Sequence, residues 1–304
     1  MFKILPIAIS QLLKLPLLVL FIYFIGFALA LIIAVPFYKT ILIEANGSVG
    51  LDVLVSKFDF MYFSDFLRVS GKAFKHFLPS IFKLGLVFLF LNVFFSGGIL
   101  YSVKNKSFSI LNFFSACLNY LGRFLFLFLF SFFLLVILLG ISTFLFFLFS
   151  LFAQGGNERT YFFAMLPPLG IMVSFISFVI VQNDYAKVII VENPTLSVSE
   201  AFWRSFVFVW RNPSTLIVFG VIVLLGLLFM LIYLCLDAII GMHSATTIIV
   251  MVIFQQLLIF SRTFLKILTL GYANEFYSSK TQMTFLPVSL NLGENLNLDG
   301  QTSV

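Results

Sequence analysis

Gln255, Arg262 and Lys266 fall at spacings of seven and four, which places all three on one face of a helix. Asn183, Asp184 and Lys187 cluster together, and Asn92 stands inside an otherwise apolar run. Polar side chains in such company are costly to bury unless they pair or line water. Asn92, Asp184, Gln255, Arg262 and Lys266 are therefore the candidates for a polar path along which a solute or a proton would move. An ion pair from Asp184 to Arg262 or Lys266 would satisfy charge on two helices. The competing reading is structural, with basic side chains that snorkel and polar ones that form interhelical hydrogen bonds. It is favoured here because no acidic residue lies deep within an apolar run.

Other chemistries lack their residues. There is no GxxxxGK[ST] to cradle phosphates, no HExxH for zinc and no GxSxG nucleophile elbow. His76 and His243 are far apart and have no evident ligand partners, and they read as polar loop or interface residues. Cys117 and Cys235 have no CxxC spacing and form neither a disulfide framework nor a metal site. Ser96-Gly97-Gly98 invites comparison with intramembrane serine chemistry, but with no base in view it reads as a notch for helix packing. No catalytic, cofactor-binding or metal-binding residue is assigned, and the chain is read as a non-enzyme.

The elements that must carry these residues are set by composition. The chain has 304 residues, of which 62% are hydrophobic and 10% charged. A soluble domain cannot hide that much apolar surface and carries about a quarter charged residues. Spans are expected at about 16–37, 84–103, 124–153, 160–183, 213–236 and 244–268, each apolar and long enough to cross hydrocarbon. The fold class is all-α, a polytopic membrane protein with one transmembrane domain over residues 1–280 and a polar, disordered tail over 281–304. Ala28-Leu29-Ala30 resembles a signal cleavage site, but the apolar run continues past it and exceeds a typical h-region, so it is read as a span. Gly26, Ala30 and Ala34 put small residues on one face of that span, where a neighbouring helix can approach. Pro167-Pro168 should break or kink the fourth span.

With six spans and the N-terminus in the cytoplasm, cytoplasmic segments hold eleven Lys and Arg against seven outside. That asymmetry favours this orientation, and it accounts for the net charge of +6 without nucleic acid. Six of the seven outside residues lie in the 38–83 loop, which would sit more comfortably inside. This loop opens with a turn-rich stretch at Glu44 to Asp52 and continues as an amphipathic helix from about Phe63, with Asp65, Arg68, Lys72 and Lys75 on one side. Its basic face suits anionic lipid headgroups, or is simply solvated.

Ser197 to Arg211 is the most distinctive segment. Ser197 and Glu200 have capping-box spacing, Glu200 precedes Arg204 by one turn, and Asn212-Pro213 leads straight into an apolar run. Phe202, Trp203, Phe206 and Trp210 suit the boundary between headgroups and acyl chains, so this helix is expected to lie in the interface. Asn105, Ser109, Phe114 and Arg123 recur 88 residues later as Asn193, Ser197, Phe202 and Arg211. Lys14-x-Pro16 has the form of Arg211-x-Pro213. The chain then parses as three units, each an interfacial helix followed by two spans.

Ile190 to Ser197, followed by Glu200 to Ser205, resembles the segment before a late span in a broad group of bacterial six-span membrane proteins. That group includes the membrane domain fused to some glycerophosphodiester phosphodiesterases. The resemblance covers residues 80 to 275, implies architecture and a cell-membrane location, and carries over no catalytic residue. The expectation is a multi-pass protein of a bacterial cytoplasmic membrane that organises a partner or the envelope, the alternative being a transporter or permease component. Its partners are the lipid bilayer, with anionic headgroups or another membrane protein beside it, and no nucleic acid.

Overall fold

The computed structural model describes residues 4–45, 60, 61, 64, 68, 77–240 and 244–294. Among them there are eight helices and no strand: α1 (Ile4–Leu13), α2 (Pro16–Ala45), α3 (Phe77–Lys104), α4 (Ile110–Phe152), α5 (Glu158–Glu192), α6 (Val198–Arg211), α7 (Ser214–Ile240) and α8 (Ala245–Glu294). Six of them, α2, α3, α4, α5, α7 and α8, are long and apolar enough to cross a membrane. The protein is thus a polytopic all-α membrane protein. In hydrocarbon the backbone must satisfy itself, and a helix does so within its own segment.

Local chemistry explains most of the boundaries. After α1 the amides of Lys14 and Leu15 close a tight turn onto Gln11 and Leu12, and Pro16 opens α2 where its missing amide costs nothing. Ser197 Oγ accepts from the Glu200 amide at 3.3 Å and starts α6, while Asn212 and Pro213 end it. The turn between α4 and α5 passes through Gly155 with φ of 85°, a left-handed conformation that favours glycine.

Several expectations are corrected. The second interfacial helix, expected over Ser107–Arg123, is not a separate element: α4 runs unbroken from Ile110 to Phe152. The cause is local, because Arg123 is followed by Phe124-Leu125, with no counterpart of the Asn212-Pro213 break. Prolines 167 and 168 lie inside a continuous α5 and do not break it. A Cβ on Gly26 would meet nothing within 4 Å, so among the described residues no helix presses on the small-residue face of α2 there. Helix α8 continues past Lys280 to Glu294, where a structureless tail was expected, since propagating a formed helix adds a hydrogen bond per residue. Most of the 38–83 loop, with its predicted amphipathic helix and His76, lies outside the described residues, as do His243 and residues 295–304.

The chain packs as two compact units. The first comprises Met1–Leu15, Ser96–Leu224 and Leu265–Val304. Its core is built on contacts of α4 with α5, of α5 with α6 and of α4 with α6, and it buries Leu100, Phe113, Phe124, Leu127, Ile189 and Ile267 completely or nearly so. The predicted notch belongs here: a Cβ on Gly98 would stand 2.5 Å from the Phe113 ring, and one on Gly97 would stand 3.1 Å from the Ala116 carbonyl oxygen. The second unit, Pro16–Phe95 and Leu225–Phe264, buries Leu18, Val19, Val93 and Met251.

Candidate functional site

The structure divides the five predicted path residues. Asn92, Gln255 and Arg262 belong to the second unit, and Asp184 and Lys266 to the first. Asn92 Nδ2 donates to the Phe88 carbonyl one turn back, at 2.8 Å, so its amide is tied to its own helix. Gln255 and Arg262 are exposed on the surface of α8. The neighbouring Gln256 makes an interhelical bond in this unit: its Oε1 accepts from Tyr23 Oη at 2.8 Å while the Tyr23 ring meets Phe260 edge-on.

Within the first unit, Lys187 Nζ pairs with Asp184 Oδ1 at 3.5 Å, and Lys266 of α8 lies near enough to interact electrostatically with both. The expected partner of Asp184 is therefore supplied first by its own helix. Asp184 also lines a narrow cleft with Val181, Tyr185, Thr215, Phe219, Ile222, Thr269, Tyr272 and Ala273. Tyr185 and Tyr272 are buried, at 2% and 3% exposure, and neither hydroxyl has a hydrogen-bond partner among the described residues. Their rings are wedged in place, Tyr185 against Phe208 and Phe276 and Tyr272 stacked on Phe276.

A set of polar ties gathers where the helices of this unit end. Lys104, the last residue of α3, donates to the Val191 carbonyl at 3.1 Å and pairs with Glu192 at 3.5 Å. Glu192 in turn accepts from Ser278 Oγ of α8 at 3.5 Å. Arg123 of α4 donates to the carbonyls of Pro194 and Leu196, holding the connection between α5 and α6 with both arms of its guanidinium. Lys104 and Arg123 thus serve carbonyls that helix termini and turns leave unsatisfied. Ser131 Oγ donates to Asn183 Oδ1 at 3.3 Å between α4 and α5.

No family model, no curated protein and no solved structure matches the chain. The site is therefore read from its own geometry.

Helix α6 is anchored through Gln182, which is fully buried on α5. Its Nε2 donates to Ser205 Oγ at 2.9 Å and to the Phe202 carbonyl at 3.3 Å, while its Oε1 is buried without a partner among the described residues. Ala201, Ser205 and Val209, one turn apart, form the buried stripe of α6. To one side of it Trp203, Phe206 and Trp210 stack nearly parallel, with centroids 5.4 Å and 6.4 Å apart. Both indoles are exposed, as are Arg204 and Arg211 beside them, and Arg204 pairs with Glu200 at 2.7 Å.

Among the described residues no three His, Cys, Asp or Glu side chains group as metal ligands. Neither motif nor spacing in the sequence singles out Gln182 or Tyr185. Tyr272 likewise carries no local signal.

Proposed function

We propose that this chain is a non-enzymatic membrane module of a bacterial cytoplasmic membrane, with its N-terminus inside, that organises a protein partner or the envelope around itself. The observation that carries the reading is the use made of its charges. In the first unit Lys104, Arg123, Asp184, Lys187, Glu192, Glu200 and Arg204 bond to one another or to backbone carbonyls at helix ends and turns. Groups used this way fix geometry. The excess of Lys and Arg on one side supports the orientation, and the resemblance of residues 190–205 to six-span bacterial proteins supports the location. Lipid is the first partner, met by α6 through Trp203, Trp210 and Arg211, whose chemistry suits headgroups that include anionic ones. A second membrane protein is the partner to be organised.

The test is photo-crosslinking in cells from exposed span positions such as Leu224 and Leu231 of α7. A discrete protein adduct from neighbouring positions of one span supports the reading. Lipid adducts alone at every position tested, together with solute flux in proteoliposomes, would sink it. Exposed Arg262 within an apolar span is the observation favouring a transporter instead. Loss of flux in Arg262→Ala at normal protein level would support that second reading, whereas loss of the protein itself would mark Arg262 as structural.

A further inference from the structure

Resting on the organising role proposed above, we propose that the first turns of α4 are the surface on which a second protein docks, and that what docks is an amphipathic helix carrying Asp or Glu beside its apolar stripe. Leu111 and Leu118 stand on one face two turns apart, at 82% and 66% exposure, with Ile110 and Phe114 also exposed along its edge. The opposite face, Phe113, Ala116 and Cys117, is buried in the unit. In water a contiguous apolar stripe of this kind marks an interaction site, where scattered apolar residues would not.

Lipid does not reach this stripe. Arg123 is held by the Pro194 and Leu196 carbonyls of the α5–α6 connection. Residues 193–195 of that connection are exposed and not helical, and exposed irregular backbone does not occur in hydrocarbon. Hydrocarbon therefore begins no nearer the stripe than Arg123. The uncharged run from Phe124 to Phe152 rises about 43 Å as a helix, more than the roughly 30 Å it has to cross. Leu111 precedes Arg123 by about 18 Å along the helix axis, and Leu118 by about 7.5 Å. A tilt of about 40° still leaves Leu111 about 14 Å out. The headgroup layer is roughly 5–8 Å deep, so the stripe runs from its outer edge into water.

Charge selects the partner. Lys106 leaves α3 in a left-handed turn with φ of 52°, its amide on the Val103 carbonyl and the Ser107 amide on the Ser102 carbonyl, both at 3.2 Å. Glycine ordinarily fills this position of a helix end, and a side chain is strained there. An exposed lysine is thus fixed just before the stripe, and the Phe108 ring packs on Phe113 at 5.9 Å to set the entry into α4. Lys104 is answered by Glu192, but neither α3 nor α4 offers Lys106 a carboxylate, since no Asp or Glu occurs between Asp65 and Glu158. A second copy of the chain would meet the wrong charge. Packed two-fold with Leu111 against Leu118, antiparallel α4 helices would bring Lys106 to the level of Arg123 of the other copy. An acidic amphipathic helix answers both features, its apolar residues covering Leu111 and Leu118 while a carboxylate pairs with Lys106.

The experiment is photo-crosslinking of the full chain in cells, with p-benzoylphenylalanine placed singly at Leu111 and Leu118, and at the exposed Asn112 and Asn119 as controls, followed by mass-spectrometric sequencing of the joined peptide. Both stripe positions should capture the same protein through a segment that sets acidic residues beside an apolar helical stripe, at several-fold the yield of the controls. Adducts to lipid, to a second copy, to the 38–83 loop of the same chain or to a segment without acidic residues would overturn the proposal, as would the lack of any protein adduct. Lys106→Gly suits the left-handed turn, so it should melt no lower than the wild type while the adduct falls several-fold, and Lys106→Glu should abolish the adduct. An undiminished adduct in both variants removes charge from the recognition and overturns the choice of partner. Parallel crosslinking from Leu224 and Leu231 separates this surface from the reading it rests on. Protein adducts there with none from α4 sink the surface alone, whereas lipid adducts at every position together with solute flux sink both.

Discussion

Lys104 and Glu192, separated by the repeat interval of 88 residues, meet at 3.5 Å. The end of α3 is thereby paired with the end of α5. Both side chains are about one-third exposed, so solvent screens the pair and its worth is about 1 kcal/mol or less. Lys104 also caps the end of α5 through the Val191 carbonyl, a bond that a carboxylate cannot make. Lys104→Glu should therefore cost more than Glu192→Lys, and the double exchange should recover only part of the loss. Thermal unfolding of the four proteins in one detergent measures this; full recovery in the double exchange would show that the bond to Val191 contributes nothing.

Arg123 reaches two carbonyls of the α5–α6 connection, Pro194 and Leu196, from a helix 71 and 73 residues away in sequence. Hydrogen bonds from a charged donor contribute about 1.5–3 kcal/mol when shielded and less where water competes. Arg123→Lys can replace one arm of the guanidinium but not its fork. Hydrogen exchange at the amides of 195–199 should accelerate in Arg123→Ala and, to a smaller degree, in Arg123→Lys. Equal protection in all three proteins would mean that the connection holds itself.

What the sequence made legible was local. The start of α6 follows from Ser197 and Glu200, its ion pair from Glu200 and Arg204, and its end from Pro213, all within a few residues. The opposite outcome at α4 has an equally local cause, since matching Arg123 to Arg211 passed over the missing proline. The candidate site was less legible because periodicity assigns a residue to a face without saying what lies opposite. Gln255 and Gln256 are adjacent, and only the second has a tyrosine across from it. Tyr185 and Tyr272 were lost among 44 phenylalanines, and their meeting in one cleft depends on long-range packing that no short window contains.

Gly98 sits where α3 crosses the start of α4, and a Cβ there would stand 2.5 and 2.6 Å from two ring carbons of Phe113 and 2.8 Å from Cys117 Sγ. Phe113 is fully buried. Gly98→Ala should destabilise the protein by about 1–3 kcal/mol, and Gly98→Val by more. Gly85→Ala in the same helix is the control, because its Cβ would meet nothing within 4 Å and alanine favours the helix by up to about 1 kcal/mol. If Gly98→Ala melts with the wild type while Gly85→Ala does not fall, the close approach of α3 to Phe113 is refuted.

Gln182 illustrates why a buried polar tie can be replaced more easily than broken. Its Nε2 serves Ser205 and Phe202, yet its own Oε1 is buried without a partner among the described residues. Ser205 keeps its bond to the Phe202 carbonyl at 2.7 Å whatever stands at 182. Gln182→Met removes the orphan together with the tie and should change stability by less than about 1.5 kcal/mol, since apolar replacement of similar shape is close to neutral. A far larger loss, read from thermal unfolding, would show that Oε1 has a partner.

Trp203 and Trp210 are the only tryptophans of the chain, so tryptophan emission reports α6 alone. They are 63% and 73% exposed, stacked on either side of Phe206, and each is followed by an arginine. If that face lies at the headgroup boundary, lipids brominated near the glycerol should quench the emission strongly and lipids brominated near the chain end only weakly. Trp203→Phe and Trp210→Phe should each remove about half of the quenchable signal, because the seven-residue spacing keeps both indoles at one depth on a helix lying flat. Stronger quenching by the deep label would place α6 within the hydrocarbon. Insensitivity to both labels would mean that protein, and not lipid, covers the indoles, and the partner organised by this chain should then be sought on this face.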